Sequence, residues 1–334
     1  MRVLISSRHC YPASRKHDLG MKPAPYPSGS AFHVQDLVAR GLAEAGHEVF
    51  YLLEQGSAAP LPPGVTLVSG IIDDIDVYHS LGIKGLLEDV GAHMDRTRTP
   101  WITSCHLDVR LAGRTMADVR SNWVFVSKTL ADAHGSPRYV LNGLDPADYI
   151  FEPSKQGYLL FMSALDRWQG KGLETALKAA RSTGRKLIVA GTGRTQEVID
   201  QVAAMCRNYG AEYVGDVRSE RKARLLADAA ALLFPSELNE GCPLVLIEAL
   251  MSGTPAISGR GGGSTEIVTP ETGFLCGSTR EFEEAIEALP RISPQACRDR
   301  ALNHFHYRRM AEDYAREYEA EICAATAGRR SNFA

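Results

Sequence analysis

Along this chain, short runs rich in Val, Ile, Leu and Tyr alternate with longer segments in which apolar residues recur every three or four positions. No other feature of the sequence narrows the fold as far. A short apolar run suits a strand buried on both faces, and a helical segment between two such runs supplies the crossover that parallel strands require. The expected class is α/β, with parallel sheets covered by helices. Candidate strands in the first half are Arg2–Ser7, Glu48–Leu53, Thr66–Ser69, Ile75–His79, Trp101–Ser104, Trp123–Val126 and Arg138–Leu141. A first helix is expected from Ser30, because Ser28-Gly29-Ser30 offers capping chemistry and Phe32, Val34, Leu37, Val38 and Leu42 follow at helical spacing. The second half restarts with Gly157–Ser163 and continues through Lys186–Ala190, Glu212–Val214, Ala231–Phe234, Pro255–Ser258 and Phe274–Cys276.

At roughly 100–200 residues per domain, 334 residues make about two domains. The turn-rich Asn142-Gly143-Leu144-Asp145-Pro146 and the polar Glu152–Gly157 stretch place the junction near residue 150, giving domains 1–150 and 151–305. Tyr307, Met310, Ala311, Tyr314, Ala315, Tyr318 and Ile322 form one apolar stripe, so a helix over about 306–323 should dock on a core. Two such domains are expected to leave a cleft between the carboxyl ends of their sheets, the usual ligand site of these folds.

Composition removes whole classes. Hydrophobic content of 44% beside 23% charged residues belongs to a globular protein and excludes collagen-like and disordered chains. No run approaches the roughly 18 apolar residues of a transmembrane segment. The Met-Arg-Val-Leu-Ile start lacks a basic n-region and a cleavage site, so a cytoplasmic location is expected. Seven cysteines without a CxxC pair indicate neither a disulfide framework nor a zinc site. A net charge of −3 argues against nucleic acid as a partner.

The most informative stretch runs from Pro235 to Pro255: a strand end, a turn-rich loop, a helix opening near Pro243 and a stop at Gly253. Glu240 falls in the loop, whereas Glu248 sits among Leu244, Val245, Leu246, Ile247, Ala249, Leu250 and Met251. A carboxylate in so apolar a helix is costly unless it meets a partner or a ligand hydroxyl. The alternative is that it points outward from an amphipathic helix. Backbone N–H groups of the turn through Gly241, Cys242, Pro243 and Leu244 lie at the positive end of that helix, where sugar hydroxyls or an anion can be held.

Glu240 and Glu248, with seven residues between them, form an EX7E pattern, and the chain resembles the retaining GT-B glycosyltransferases of family 4. The resemblance continues in order through Gly46-His47-Glu48-Val49, Val140-Leu141-Asn142-Gly143-Leu144-Asp145, Lys171-Gly172, Val189-Ala190-Gly191-Thr192-Gly193 and the closing Tyr307–Tyr318 helix. It implies a GT-B architecture, two Rossmann-like α/β domains facing a central cleft. The first domain would be the acceptor side and the second the nucleotide-sugar side, with the terminal helix crossing back onto the first. It further implies a hexosyltransferase-type enzyme that needs no metal or cofactor. The enzyme would move a sugar from a UDP- or GDP-linked donor to the hydroxyl of a small-molecule or glycan acceptor, with retention.

By the same resemblance Glu248 would accept the ribose hydroxyls, two oxygens suiting a vicinal diol. Glu240 would contact the transferred sugar, and Lys171 would offset charge growing on the leaving diphosphate. His106, after the Trp101–Ser104 strand, would touch the sugar or its phosphate from the acceptor side, with His79 a weaker candidate of the same type. Gly29 and Ser30 stand where the family has a small-residue loop at the first helix, which would approach a phosphate or simply cap the helix. One position departs from the family. Its arginine shortly before the lysine is replaced by Ala164, leaving Arg167 as the candidate to take over the phosphate contact.

Three other patterns are weaker. Asp74-Ile75-Asp76 has the DXD spacing of metal-dependent glycosyltransferases but precedes a strand, and is read as coincidence. Gly191-Thr192-Gly193 is an incomplete dinucleotide fingerprint, since position 196 is Gln. No Ser-His-Asp or metal constellation for hydrolysis is evident. Alternatives to the transferase are a nucleotide-sugar-binding regulatory module without turnover, to which Ala164 points, and a dinucleotide-dependent oxidoreductase, against which Ser6-Ser7-Arg8-His9-Cys10 counts because it is no Gly-rich turn. Finally, about 20 residues from Arg8 to Ser28 far exceed the usual 2–6 between a strand and its helix. Arg15 and Lys16 in this basic stretch are candidates for an anionic acceptor.

Overall fold

The computed structural model of the chain describes residues 1–13, 30–82 and 86–331. Two units form, one from Met1–Asp145 with Phe305–Ala334 and the other from Pro146–His304.

Unit 1 comprises β1 (Arg2–Ser7), α1 (Ala31–Glu44), β2 (Glu48–Leu53), β3 (Val65–Val68), β4 (Val77–Leu81), α2 (Leu86–Thr97), β5 (Trp101–Cys105), β6 (Trp123–Phe125) and α3 (Lys128–Ala133). Its sheet has the order β3-β2-β1-β4-β5-β6 and every pair is parallel. Ile5 sits opposite Tyr51 on one side and His79 on the other. The chain therefore winds outward to β3 and returns beside β1, so the loops after β1 and β4 part at a topological switch point. The expected strand Arg138–Leu141 is a single bridge between Tyr139 and Phe125. Past Val140 the chain turns onto the terminal helix, where a Cβ on Gly143 would stand 2.8 Å from the His306 carbonyl oxygen.

Unit 2 comprises β7 (Leu159–Met162), α4 (Leu173–Ser182), β8 (Leu187–Ala190), α5 (Gln196–Tyr209), β9 (Glu212–Tyr213), α6 (Ser219–Asp228), β10 (Ala231–Phe234), α7 (Leu244–Met251), β11 (Ala256–Gly259), α8 (Ser264–Ile267), β12 (Gly273–Cys276), α9 (Thr279–Ala288) and α10 (Pro294–His304). Its order, β12-β11-β10-β7-β8-β9, repeats the winding of unit 1 and puts the switch between β7 and β10. Leu159, Phe161, Leu177, Val189, Leu233, Ile257 and Phe282 build its core. The unit begins at Pro146, the last residue of the turn-rich stretch and a few residues before the expected junction near 150, because Pro146 and Tyr149 already bond to it. Arg298 donates to the Pro146 carbonyl at 3.3 Å and the Tyr149 hydroxyl to Glu248 at 3.3 Å.

The chain then returns to unit 1 as α11 (Tyr307–Ser331), with Tyr307, Met310, Ala311, Tyr314 and Tyr318 buried along one stripe. Backbone bonds from Leu144 to Phe305 (2.8 Å) and from Tyr307 to Leu144 (3.1 Å) fix its start. No helix among the described residues is long and apolar enough to cross a membrane.

Candidate functional site

In unit 2 the motif residues lie on the loops that follow β7, β10 and β11, three adjacent strands. Those loops are tied together through their backbones. Glu237 N–H donates to the Gly170 carbonyl at 2.9 Å and Gly263 N–H to the Glu240 carbonyl at 2.8 Å. The approach is close enough to require glycine. A Cβ on Gly172, whose φ is +74°, would stand 2.0 Å from the Pro235 oxygen, and one on Gly262, at φ +57°, 2.2 Å from the Glu240 oxygen. The result is an ion pair between Lys171 and Glu240, residues far apart in sequence, with Lys171 Nζ also 5.6 Å from the centre of the Phe234 ring. Both side chains remain about one-fifth exposed.

Arg167 lies one turn before Lys171, and its carbonyl accepts the Lys171 N–H at 2.9 Å. Its side chain is exposed and makes no ion pair among the described residues. Gly241, Cys242 and Pro243 are buried and Leu244 half-buried where α7 opens.

Glu248 is 2% exposed. Leu246, Ile247, Ala249, Leu250 and Met251 are also fully buried, while Leu244 and Val245 in the first turn are half-buried, so Glu248 does not face solvent and the outward-pointing alternative is removed. Its Oε1 receives Lys222 Nζ at 2.6 Å and the Tyr149 hydroxyl at 3.3 Å. The sequence reading missed Lys222. The available signal was its spacing of four from Leu226, which places it on the inward face of α6 with Ala223 and Ala227. Lys155 Nζ ties the ends of α6 and α7 together by donating to the Ala227 carbonyl (2.6 Å), the Ser252 carbonyl (3.0 Å) and Thr254 Oγ1 (2.9 Å), and burial lowers it to about 8.

In unit 1, His106 follows β5. Its Nε2 is buried with no hydrogen-bond partner among the described residues, and burial lowers the imidazole to about 4. His79 is instead a satisfied core histidine: it is fully buried, bonded to Tyr318 Oη at 2.7 Å and Ser104 Oγ at 3.1 Å, and lowered to about 3, first by burial and then by His106. Ser30 caps α1, its Oγ accepting the His33 N–H at 3.1 Å. Gly29, Arg15 and Lys16 lie outside the described residues. Asp74 pairs with the Arg2 side chain and Asp76 accepts the Arg2 N–H at 2.7 Å, both just before β4 and so at the amino ends of the strands. Among the described residues no group of three or more His, Cys, Asp or Glu is placed to hold a metal ion.

Outside the motifs, Ser7, His9 and Asp36 form a hydrogen-bonded chain. Ser7 Oγ meets His9 Nδ1 at 2.8 Å, and His9 Nε2 meets Asp36 Oδ1 at 2.9 Å. The three residues are only 1%, 6% and 6% exposed, so no substrate carbonyl reaches the hydroxyl. Asp36 also accepts from Tyr51 Oη at 2.8 Å and from Ala13 N–H at 2.7 Å, and the cluster works as a clasp on the chain leaving β1. A hollow lined by Asp95, Arg98, Trp101, Arg120 and Glu321 lies at the amino ends of β5 and β6 and contains none of the motif residues.

Residues 156–291 match the family "Glycosyl transferases group 1", a span that includes the loops described above. Over 213 residues the chain is 26% identical to the D-rhamnosyltransferase WbpZ of Pseudomonas aeruginosa, a match covering 60% of this chain and 52% of that protein. The chain thus spans about half the length of that curated relative. The crystal structure of AviGT4, a glycosyltransferase involved in avilamycin A biosynthesis, superimposes with a TM-score of 0.74 and 26% identity over 97% of this chain and 98% of that one. Anabaena Alr3699/HepE in complex with UDP superimposes with a TM-score of 0.72 at 14% identity, over 96% and 100% of the two chains, a likeness of fold. Two parallel six-stranded sheets wound alike and covered by helices are the GT-B fold of glycosyltransferases, and it is in the second of these units that residues 156–291 match the glycosyl transferases group 1.

Proposed function

We propose that this chain is a retaining, metal-independent glycosyltransferase of the family 4 type, transferring a hexose from a nucleoside diphosphate sugar to an acceptor hydroxyl. The observation that carries the proposal is the pairing of Lys171 with Glu240 beside the switch point of unit 2, within the span that matches the glycosyl transferases group 1. An ammonium at the carboxyl end of a parallel sheet is placed for a diphosphate, and a carboxylate next to it for the sugar that the diphosphate carries. AviGT4 and WbpZ, named as glycosyltransferases, support the reaction class, and the UDP complex of HepE supports a nucleotide donor.

In this reading unit 2 holds the donor. Glu248 accepts the ribose hydroxyls, Lys171 and Arg167 face the diphosphate, and the Gly241–Leu244 turn offers backbone N–H groups at the start of α7. As the bond from sugar to phosphate breaks, negative charge grows on the leaving oxygen and Lys171 stabilises it. The acceptor oxygen attacks on the same face, and the departing phosphate takes its proton. His106 in unit 1, half-buried after β5 and held neutral by that burial, serves the acceptor as a hydrogen-bonding group. The test is a panel of UDP- and GDP-sugars incubated with acceptors of several classes, neutral and anionic, and read by mass spectrometry with and without EDTA. A glycosylated product formed in EDTA is expected. Tight nucleotide-sugar binding without donor consumption would instead establish the regulatory module, and a strict Mg²⁺ requirement would return attention to Asp74 and Asp76.

A further inference from the structure

One buried lysine outside every motif completes the donor side of unit 2. The geometry points to Lys222 as a positioning residue for Glu248: through their ion pair it sets the direction in which the carboxylate meets the ribose diol. The inference rests on the reading of Glu248 as the ribose contact.

Lys222 is 8% exposed and Glu248 2%, with Nζ to Oε1 at 2.6 Å. A lysine is seldom buried without a partner, and an apolar pair of similar volume would stabilise this place as well or better. Stability alone therefore does not account for the pair. Its geometry is held by two further contacts. Lys155 ties the ends of α6 and α7 to one another, so the two helices cannot slide apart. The Tyr149 hydroxyl reaches the same Oε1 that Lys222 holds. A planar carboxylate pinned through one oxygen has the direction of its second oxygen determined as well. A ribose-binding carboxylate needs that fixed direction, because a hydroxyl donates well only along the lone-pair directions of the oxygen that receives it.

The experiment compares UDP with 2′-deoxy-UDP, and GDP with 2′-deoxy-GDP, by calorimetry on the full chain. The wild type should prefer the ribonucleotide by about tenfold, the scale of one hydrogen bond to a charged group. Glu248→Gln should reduce that preference to near unity. Lys222→Met should do the same, although Lys222 itself touches no ribose. Should Lys222→Met fail to fold, Lys222→Gln keeps a hydrogen-bond donor in the slot while removing the counter-charge, and should still lower the ratio at least threefold. Folded Lys222 variants with the wild-type ratio overturn the proposal. If instead the wild type does not discriminate, or Glu248→Gln discriminates as well as the wild type, the ribose reading of Glu248 has failed first and takes this inference with it.

Discussion

Glu240 and Lys171 neutralise one another across two loops, and a diphosphate would compete with Glu240 for the same ammonium. Glu240→Gln should therefore bind UDP or GDP more tightly while transferring sugar more slowly. For a partly exposed pair the gain is about 0.5–1 kcal/mol, roughly two- to fivefold in Kd. Lys171→Ala should lose affinity and turnover together, whereas Arg167→Ala should weaken the diphosphate but leave nucleoside binding intact; calorimetry with the diphosphate and with the nucleoside alone separates the two. Histidines set a different dependence. Burial holds His79 and His106 down at about 3 and about 4, so both are neutral when folded and charge readily only in the unfolded chain, near 6.5. The unfolded state thus binds more protons between about pH 6.5 and 4, and stability falls as pH falls through that window. Each imidazole adds up to about 1.4 kcal/mol per pH unit to the slope. His106→Gln should make the slope shallower by about one proton in denaturant titrations from pH 4.5 to 7, and an unchanged slope would show that His106 is not the buried neutral base described above.

At the scale of elements, unit 1 depends on how closely α11 packs on α1. A Cβ on Gly41 would stand 2.6 Å from the Cβ of Ala311. Gly41→Ala improves helix propensity by about 1 kcal/mol yet overfills this contact, and the net effect should be a loss of roughly 1–2 kcal/mol in chemical denaturation. Ala311→Gly in the same chain should recover part of it. The stripe on α11 was legible in the sequence because five of its residues repeat at helical spacing and are buried as that spacing requires. The amphipathic test failed for α7, a helix only eight residues long in which Leu246 to Met251, Glu248 included, are all buried. A window of sequence reports which residues are apolar, and it does not report that a neighbouring helix carries a lysine for the one that is not.

For the whole molecule, the chain leaves unit 1 after Asp145 and comes back at Phe305, so unit 2 is one continuous segment and unit 1 is two. Residues 146–304 expressed alone should fold cooperatively and keep their affinity for UDP or GDP within about threefold, since the donor residues proposed here all fall inside that segment. Residues 1–145 alone should not, because the buried face of α11 and the Tyr318 bond to His79 would be missing. Circular dichroism melts of the two fragments distinguish these outcomes.

The α/β class, the strand-to-helix alternation and the loop-and-helix setting of Glu240 and Glu248 were all readable from residue order, because each depends on periodicity and turn chemistry acting over a few positions. Which side chains meet was not readable. Lys171 joins Glu240, Lys222 joins Glu248, and Ser7, His9 and Asp36 line up only because strands distant in sequence lie side by side, which gathers their loops at one end of a sheet and packs their helices against one another and the sheet. The same folding that brought those charges together also decided which of them stay in contact with solvent. Burial removes the Ser7-His9-Asp36 chain from chemistry, while Lys171 and Glu240 remain partly exposed at the edge where a ligand can arrive. Sequence spacing determines the local elements and the residues they carry; the long-range contacts that pair and desolvate those residues exist only once the sheet has formed.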